Sequence, residues 1–122
     1  MPSDPAQCLF CKIVKKEVPS EVLQETEDVV IIADIRPSAP IHYLVLPKKH
    51  IASIRDIQHE DEALMGHLIH TAKEAADTLG LSGYKLVFNV GKDGGQIIEH
   101  IHMHLLGGWQ PGGSHDVTGI TV

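Results

Sequence analysis

The chain has 122 residues, 43% of them hydrophobic, with 9 histidines, 2 cysteines and a formal net charge of −6 at pH 7. A single domain over residues 1–122 is expected, apolar enough to bury a core without disulfide staples. The acidic balance, with no basic cluster larger than Lys15-Lys16 or Lys48-Lys49, excludes a duplex nucleic-acid binder. With no membrane-length apolar run and no leader pattern, a cytoplasmic protein that binds no membrane is expected.

A short helix is expected over residues 9–16, ended near Pro19. It begins inside Cys8-Leu9-Phe10-Cys11, two thiols at the spacing of half a zinc site. A closed site needs two more ligands. With no other cysteine, His50 and one histidine near residue 100 are the available suppliers. A redox pair would want a strand before Cys8, where none is expected, and two ordinary buried cysteines are the third reading.

Residues 21–25 and 28–34 read as strands, the second carrying the β-branched run Val29-Val30-Ile31-Ile32. Arg36-Pro37-Ser38-Ala39-Pro40 is a turn, and residues 41–46 form another strand that ends at Pro47. His42 opens that strand. It is a further site imidazole if the strand packs near the histidine run, and a surface histidine beside a turn otherwise.

Residues 60–79 are helical, with Leu64, Met65, Leu68, Ile69, Ala72, Ala75, Ala76 and Leu79 on one stripe and Gly80 as the stop. His67 and His70 fall opposite that stripe and are expected in solvent, as are His59 and His115. A strand over residues 84–90 turns through Gly91-Lys92-Asp93-Gly94-Gly95 into a last strand that ends at Gly107-Gly108. Residues 110–122 read as loop or tail. Short strands around one long crossover helix indicate an α+β fold with a mainly antiparallel sheet.

The last strand carries the chemistry. His100, His102 and His104 alternate with Ile101, Met103 and Leu105, so one strand face is all imidazole. Imidazole is the side chain whose ordinary pKa suits proton transfer and nucleophilic attack near neutrality. Three in register can share one phosphate, hold a catalytic metal, or line an inert face. The glycine loop favours phosphate, since Asn89 and Gly94-Gly95-Gln96 lie just before the run and glycines let backbone amides approach an anion.

His100-Ile101-His102-Met103-His104-Leu105-Leu106 resembles the His-φ-His-φ-His-φ-φ signature of the histidine triad (HIT) superfamily. Phe10-Cys11-Lys12-Ile13, Asp34-Ile35-Arg36-Pro37, residues 42–50 and residues 89–96 extend the likeness over residues 8–109. Asp93-Gly94-Gly95-Gln96 and Gly107-Gly108-Trp109 are most similar to the Hint (histidine triad nucleotide-binding) branch. The resemblance implies a HIT-like fold, a five-stranded mainly antiparallel sheet with one long and one short helix. It also implies a homodimer with joined sheets and cleavage of purine nucleoside phosphoramidates, the AMP and GMP conjugates. On this likeness His102 attacks the α-phosphorus, while His104 and His42 contact the phosphate oxygens. Asp34 takes the ribose hydroxyls, and Phe10, Ile13, Ile32 and Ile35 line a slot for the base. Asn89, Gly95 and Gln96 hold the phosphate and ribose, and Ile97 stands where Hint enzymes commonly have a serine. Glu99 likewise replaces a frequent tyrosine. The likeness further implies a structural zinc on Cys8, Cys11, His50 and His100. Hydrolysis of dinucleoside polyphosphates and nucleotide binding with little turnover are the rival readings.

Overall fold

The computed structural model describes residues 4–113 and 115. Helix α1 spans Leu9–Val14 and precedes strands β1 (Val22–Glu25), β2 (Val29–Ala33) and β3 (Ile41–Pro47). Helix α2 (Glu62–Thr78) then crosses over to β4 (Tyr84–Phe88), and β5 (Met103–Gly107) closes the sheet. The five strands lie in the order β1-β2-β3-β5-β4, every neighbouring pair antiparallel. This is the expected α+β architecture. The expected tail at 110–122 lies largely outside the described residues. No helix among those residues is long and apolar enough to cross a membrane.

Strand β2 is apolar without alternation because both of its faces are covered. Val29 and Ile31 join Val45, Ile101, Met103 and Leu105 against Leu68, Ala72, Ala75 and Ala76 of α2. Val30 and Ile32 point the other way, with Leu44 and Leu46, onto Phe10, Cys11 and Ile13 of α1. The alanines of α2 leave little side chain between helix and sheet, so the contact stripe is narrow. Ile69, expected on that stripe, is 51% exposed, while Leu64, Met65 and Leu79 pack at its margin.

Two further expectations are corrected. His67 is only partly in solvent: its side chain is 37% exposed and its Nδ1 lies 2.7 Å from Asp28 Oδ1, tying α2 to the turn between β1 and β2. His70 and His59 are exposed as expected. The histidine run is also not one strand. Only His104 lies within β5: the β3–β5 ladder stops at the pair Val45–Met103 and the β4–β5 ladder at Phe88–Met103, leaving residues 100–102 without a ladder on either side. A bond from Ile101 N to Ile51 O (2.7 Å) keeps this stretch extended, so the alternation survives. Gly108 ends β5 at φ +83°, where a Cβ would stand 2.7 Å from Ile41 Cγ1, and only glycine fits.

Candidate active site and metal centre

All three histidines of the run are buried, at 0%, 3% and 0% exposure for His100, His102 and His104, so the inert solvated face is ruled out. The sheet delivers His42 to them. Leu44 pairs with His104 and His42 with Leu106 across β3 and β5, and the His42 and His104 ring centroids are 5.1 Å apart. Phe10 of α1 stands edge-on to both His100 and His102, with centroids 5.8 and 5.0 Å away.

Hydrogen bonds fix which nitrogen of each ring carries the proton. The Ser38 amide donates to His42 Nδ1 at 2.9 Å, so neutral His42 must carry its proton on Nε2. That Nε2 lies 2.9 Å from His104 Nδ1, which therefore accepts, and the His104 proton falls on its own Nε2. His102 donates Nδ1–H to the His100 carbonyl at 2.8 Å, leaving a lone pair on His102 Nε2. Four buried side-chain N or O atoms among the described residues lack a hydrogen-bond partner, and three are here: His102 Nε2, His104 Nε2 and Asp34 Oδ2. Buried polar atoms are rarely orphaned. A free nucleophilic lone pair beside a free N–H donor is the pair of groups an attack on a phosphoryl centre requires.

Burial keeps these rings neutral. It lowers the pKa of His104 to about 3, assisted by the neighbouring His102 and His42. Burial also lowers His102, opposed first by its bond to the His100 carbonyl and then by Asp34, and lowers His42, opposed by Asp34. A neutral His102 is the nucleophilic form.

His100 faces a different partner set. Its Nε2–H donates to the Pro47 carbonyl at 2.8 Å, which leaves Nδ1 as a lone pair 3.4 Å from Cys8 Sγ and 3.6 Å from Cys11 Sγ. His50 Nδ1 lies 3.2 Å from Cys11 Sγ, and the four donor atoms all fall within 4.8 Å of one another. Tetrahedral zinc, with bonds of about 2.3 Å to sulfur and 2.0 Å to nitrogen, sets sulfur–nitrogen edges of about 3.5 Å. The donor set and spacing fit that ion, and the carbonyl on His100 Nε2 is the kind of outer contact that orients a ligand histidine. Without a cation, burial and the Cys8 sulfur push the Cys11 thiol up to about 11.

Asp34, His42 and His104 form a second compact group, yet the same reasoning argues against a metal there. The Ser38 amide occupies His42 Nδ1, so His42 Nε2 bears a proton where a metal would need a lone pair.

The remaining expected residues divide. Phe10, Ile13 and Ile32 are buried in one cluster, whereas Ile35 is 92% exposed and stands apart. Asn89 Nδ2 reaches Gly95 O at 3.4 Å across the glycine loop. Gln96 is spent on holding that loop: its Nε2 donates to Ala52 O and Ile98 O, and its Oε1 accepts from Gly91 N. Beyond it Ile97 is 69% exposed at the edge of a cavity of about 750 Å³ also lined by Ser53, Arg55 and Lys92. The Ser38 amide and the Pro47 carbonyl escape a reading of the sequence, because a backbone group carries no residue signature.

A family model described as "Scavenger mRNA decapping enzyme C-term binding" matches residues 7–116. The chain is 42% identical over 109 residues to an uncharacterized HIT-like protein of Synechococcus elongatus, covering 85% of this chain and 96% of that one. It is similar to the crystal structure of a HIT family hydrolase from Legionella pneumophila, with a TM-score of 0.83 and 50% identity over 85% of this chain and 95% of the other. A Zn-bound histidine triad family protein from Mycobacterium smegmatis matches at a TM-score of 0.77 and 29% identity, over 98% and 85% of the two chains.

Proposed function

The chain belongs to the histidine triad (HIT) superfamily, and from that premise we propose that it is a Hint-branch hydrolase of purine nucleoside phosphoramidates. One observation carries the reading: the orphaned lone pair of His102 Nε2 beside the orphaned Nε2–H of His104. His102 Nε2 attacks the α-phosphorus, and the bond from phosphorus to the leaving nitrogen breaks. The amine departs with that electron pair and takes up a proton. The nucleotidyl group is then held by a P–Nε2 bond, while Nδ1–H stays on the His100 carbonyl. Water attacks phosphorus, loses a proton and displaces His102, releasing the nucleoside monophosphate. Splitting one displacement into two lowers each barrier. His104, backed by His42, donates to the phosphoryl oxygen as charge develops. Phe10, Ile13 and Ile32 serve the base, Asp34 the ribose, and Asn89, Gly95 and Gln96 the surrounding loop. Adenosine phosphoramidate should release AMP, and His102→Ala should abolish the release; an unchanged rate would overturn the assignment.

Ile97 favours a second reading, hydrolysis of dinucleoside polyphosphates. Isoleucine has no proton to give a leaving amine, whereas a phosphate leaves as an anion and needs none. A panel with both leaving groups separates the two. Binding of AMP by calorimetry without turnover of either class would favour a nucleotide-binding role.

The same reading assigns a structural zinc to Cys8, Cys11, His50 and His100, supported by the His100 tautomer, the ligand edges and the Zn-bound mycobacterial relative. It also assigns a cytoplasmic homodimer. β4 is an edge strand paired only with β5, and a second copy could continue the sheet there.

A further inference from the structure

We propose that the cavity between residues 52–56 and the glycine loop binds a polyphosphate group through Arg55 and Lys92, and so receives the leaving part of a dinucleoside polyphosphate. The cavity holds about 750 Å³, and its two walls are tied to each other. Gln96 makes the tie: its Nε2 donates to Ala52 O at 2.7 Å on one wall, and its Oε1 accepts from Gly91 N at 3.0 Å on the other. Arg55 crosses the same gap. A Cβ placed on Gly91 would stand 3.7 Å from Arg55 Cζ and 3.9 Å from Nε, so the guanidinium lies against that glycine.

The charges here differ from those elsewhere on a chain of net charge −6. Lys16, Lys48, Lys49 and Lys73 each meet a carboxylate at 2.6–2.9 Å. No ion pair among the described residues holds Arg55 or Lys92, yet both line this one cavity. Ser53, in the same lining, is 8% exposed, and its Oγ has no hydrogen-bond partner. A forked guanidinium, an ammonium and a hydroxyl suit a ligand rich in anionic oxygens. The volume is that of a small-molecule site and exceeds what one phosphate fills. Asp56 and Glu99 also line the cavity, which fixes the sign of a control: removing the Asp56 charge should tighten binding of an anion. The proposed function sets Gln96 in the loop around the reacting phosphate, and Ile97 follows it at the cavity edge. Binding stands on the cavity alone, and its assignment to a leaving group rests on the phosphoryl-transfer reading.

Calorimetry and amide spectra of the full chain test the binding, with inorganic tripolyphosphate as probe and AMP present throughout to compete at the histidines. Wild type should bind, with resonances of Gly91, Lys92 and Ile97 shifted. Arg55→Gln/Lys92→Gln should bind at least tenfold more weakly. Arg55→Lys should fall between the two, because an ammonium keeps the charge and loses the fork. Asp56→Asn should bind more tightly. No binding by wild type, equal affinity in the double variant, or shifts that avoid the loop would overturn the proposal. Weaker binding in Asp56→Asn would show a ligand site that needs the carboxylate and would overturn it as well. For kinetics, the kcat/KM of a dinucleoside polyphosphate relative to adenosine phosphoramidate should fall about tenfold in the double variant. An unchanged ratio would overturn the leaving-group assignment. Turnover of neither substrate by wild type would remove the phosphoryl-transfer reading and leave the binding measurements to decide. Should the double variant not fold, Arg55→Lys and Asp56→Asn decide.

Discussion

The backbone carbonyl of His100 accepts the Nδ1–H of His102 at 2.8 Å. The residue whose side chain faces Cys8 and Cys11 thus orients, through its main chain, the ring proposed to attack phosphorus. The proposed metal centre and the proposed catalytic centre share one residue, and a disturbance of the first should reach the second.

Elemental analysis should accordingly find one zinc per chain, and Cys8→Ser/Cys11→Ser should lose it. Loss of a structural ion should cost about 3 kcal/mol or more, lowering Tm by roughly 10 °C. Turnover should fall in the fraction that stays folded, because residues 100–102 have no strand ladder to hold them. Metal content independent of both cysteines would contradict the proposed ligands.

The neutral buried histidines make stability depend on pH with a defined sign. His104 is lowered to about 3 in the fold, by burial first and by His102 and His42 next. The unfolded chain, with an ordinary histidine near 6.5, therefore binds the proton first as pH falls. Between about pH 6.5 and 3 stability should drop with each step down in pH, and above this window the contribution is fully present. The total for such a shift is of order a few kcal/mol. Urea midpoints at pH 7.5, 6 and 5 should decline in that order, and the decline should be shallower in His104→Asn. A flat midpoint across the three would contradict the burial argument.

Leu68→Ala removes a fully buried side chain from the contact of α2 with the sheet, and should cost about 2–5 kcal/mol by chemical denaturation. The metal site lies on the opposite face of the sheet, so zinc content should stay at one per chain in the folded variant. Ile69→Ala, on the exposed side of the same helix, should change stability by less than about 1 kcal/mol.

Ile97→Ser should raise turnover of a phosphoramidate with a poorly leaving amine by roughly tenfold or more, by restoring a hydroxyl that can assist the departing nitrogen. Turnover of a dinucleoside polyphosphate should change little. Equal effects on both substrates in a paired assay would show that the side chain acts on the shape of the loop.

Much of this arrangement is legible in the chain. The alternation of histidine with Ile101, Met103 and Leu105 places imidazoles and core on opposite faces without knowledge of the partner strands. The continuous apolar run of β2 announces a strand covered on both sides. The ligand set is less legible: the Cys8/Cys11 pair declares itself by spacing, but His50 and His100 join it through long-range folding. Periodicity also misplaced Ile69, because an alanine-lined contact is narrower than an apolar stripe suggests. The proton positions could not be read at all, since they depend on the Ser38 amide and on the carbonyls of Pro47 and His100. Asp34 and His42 are eight positions apart across a turn, and nothing in their spacing announces a carboxylate beside an imidazole.

The division of labour among the histidines is most directly tested by rapid quench of the zinc-loaded chain with adenosine phosphoramidate, followed by intact-mass and peptide-mass analysis. A nucleotidyl adduct on His102, absent in His102→Ala and still detectable in His104→Asn, is the predicted result. An adduct on His104 or His100, or AMP release at the wild-type rate from His102→Ala, would contradict the account.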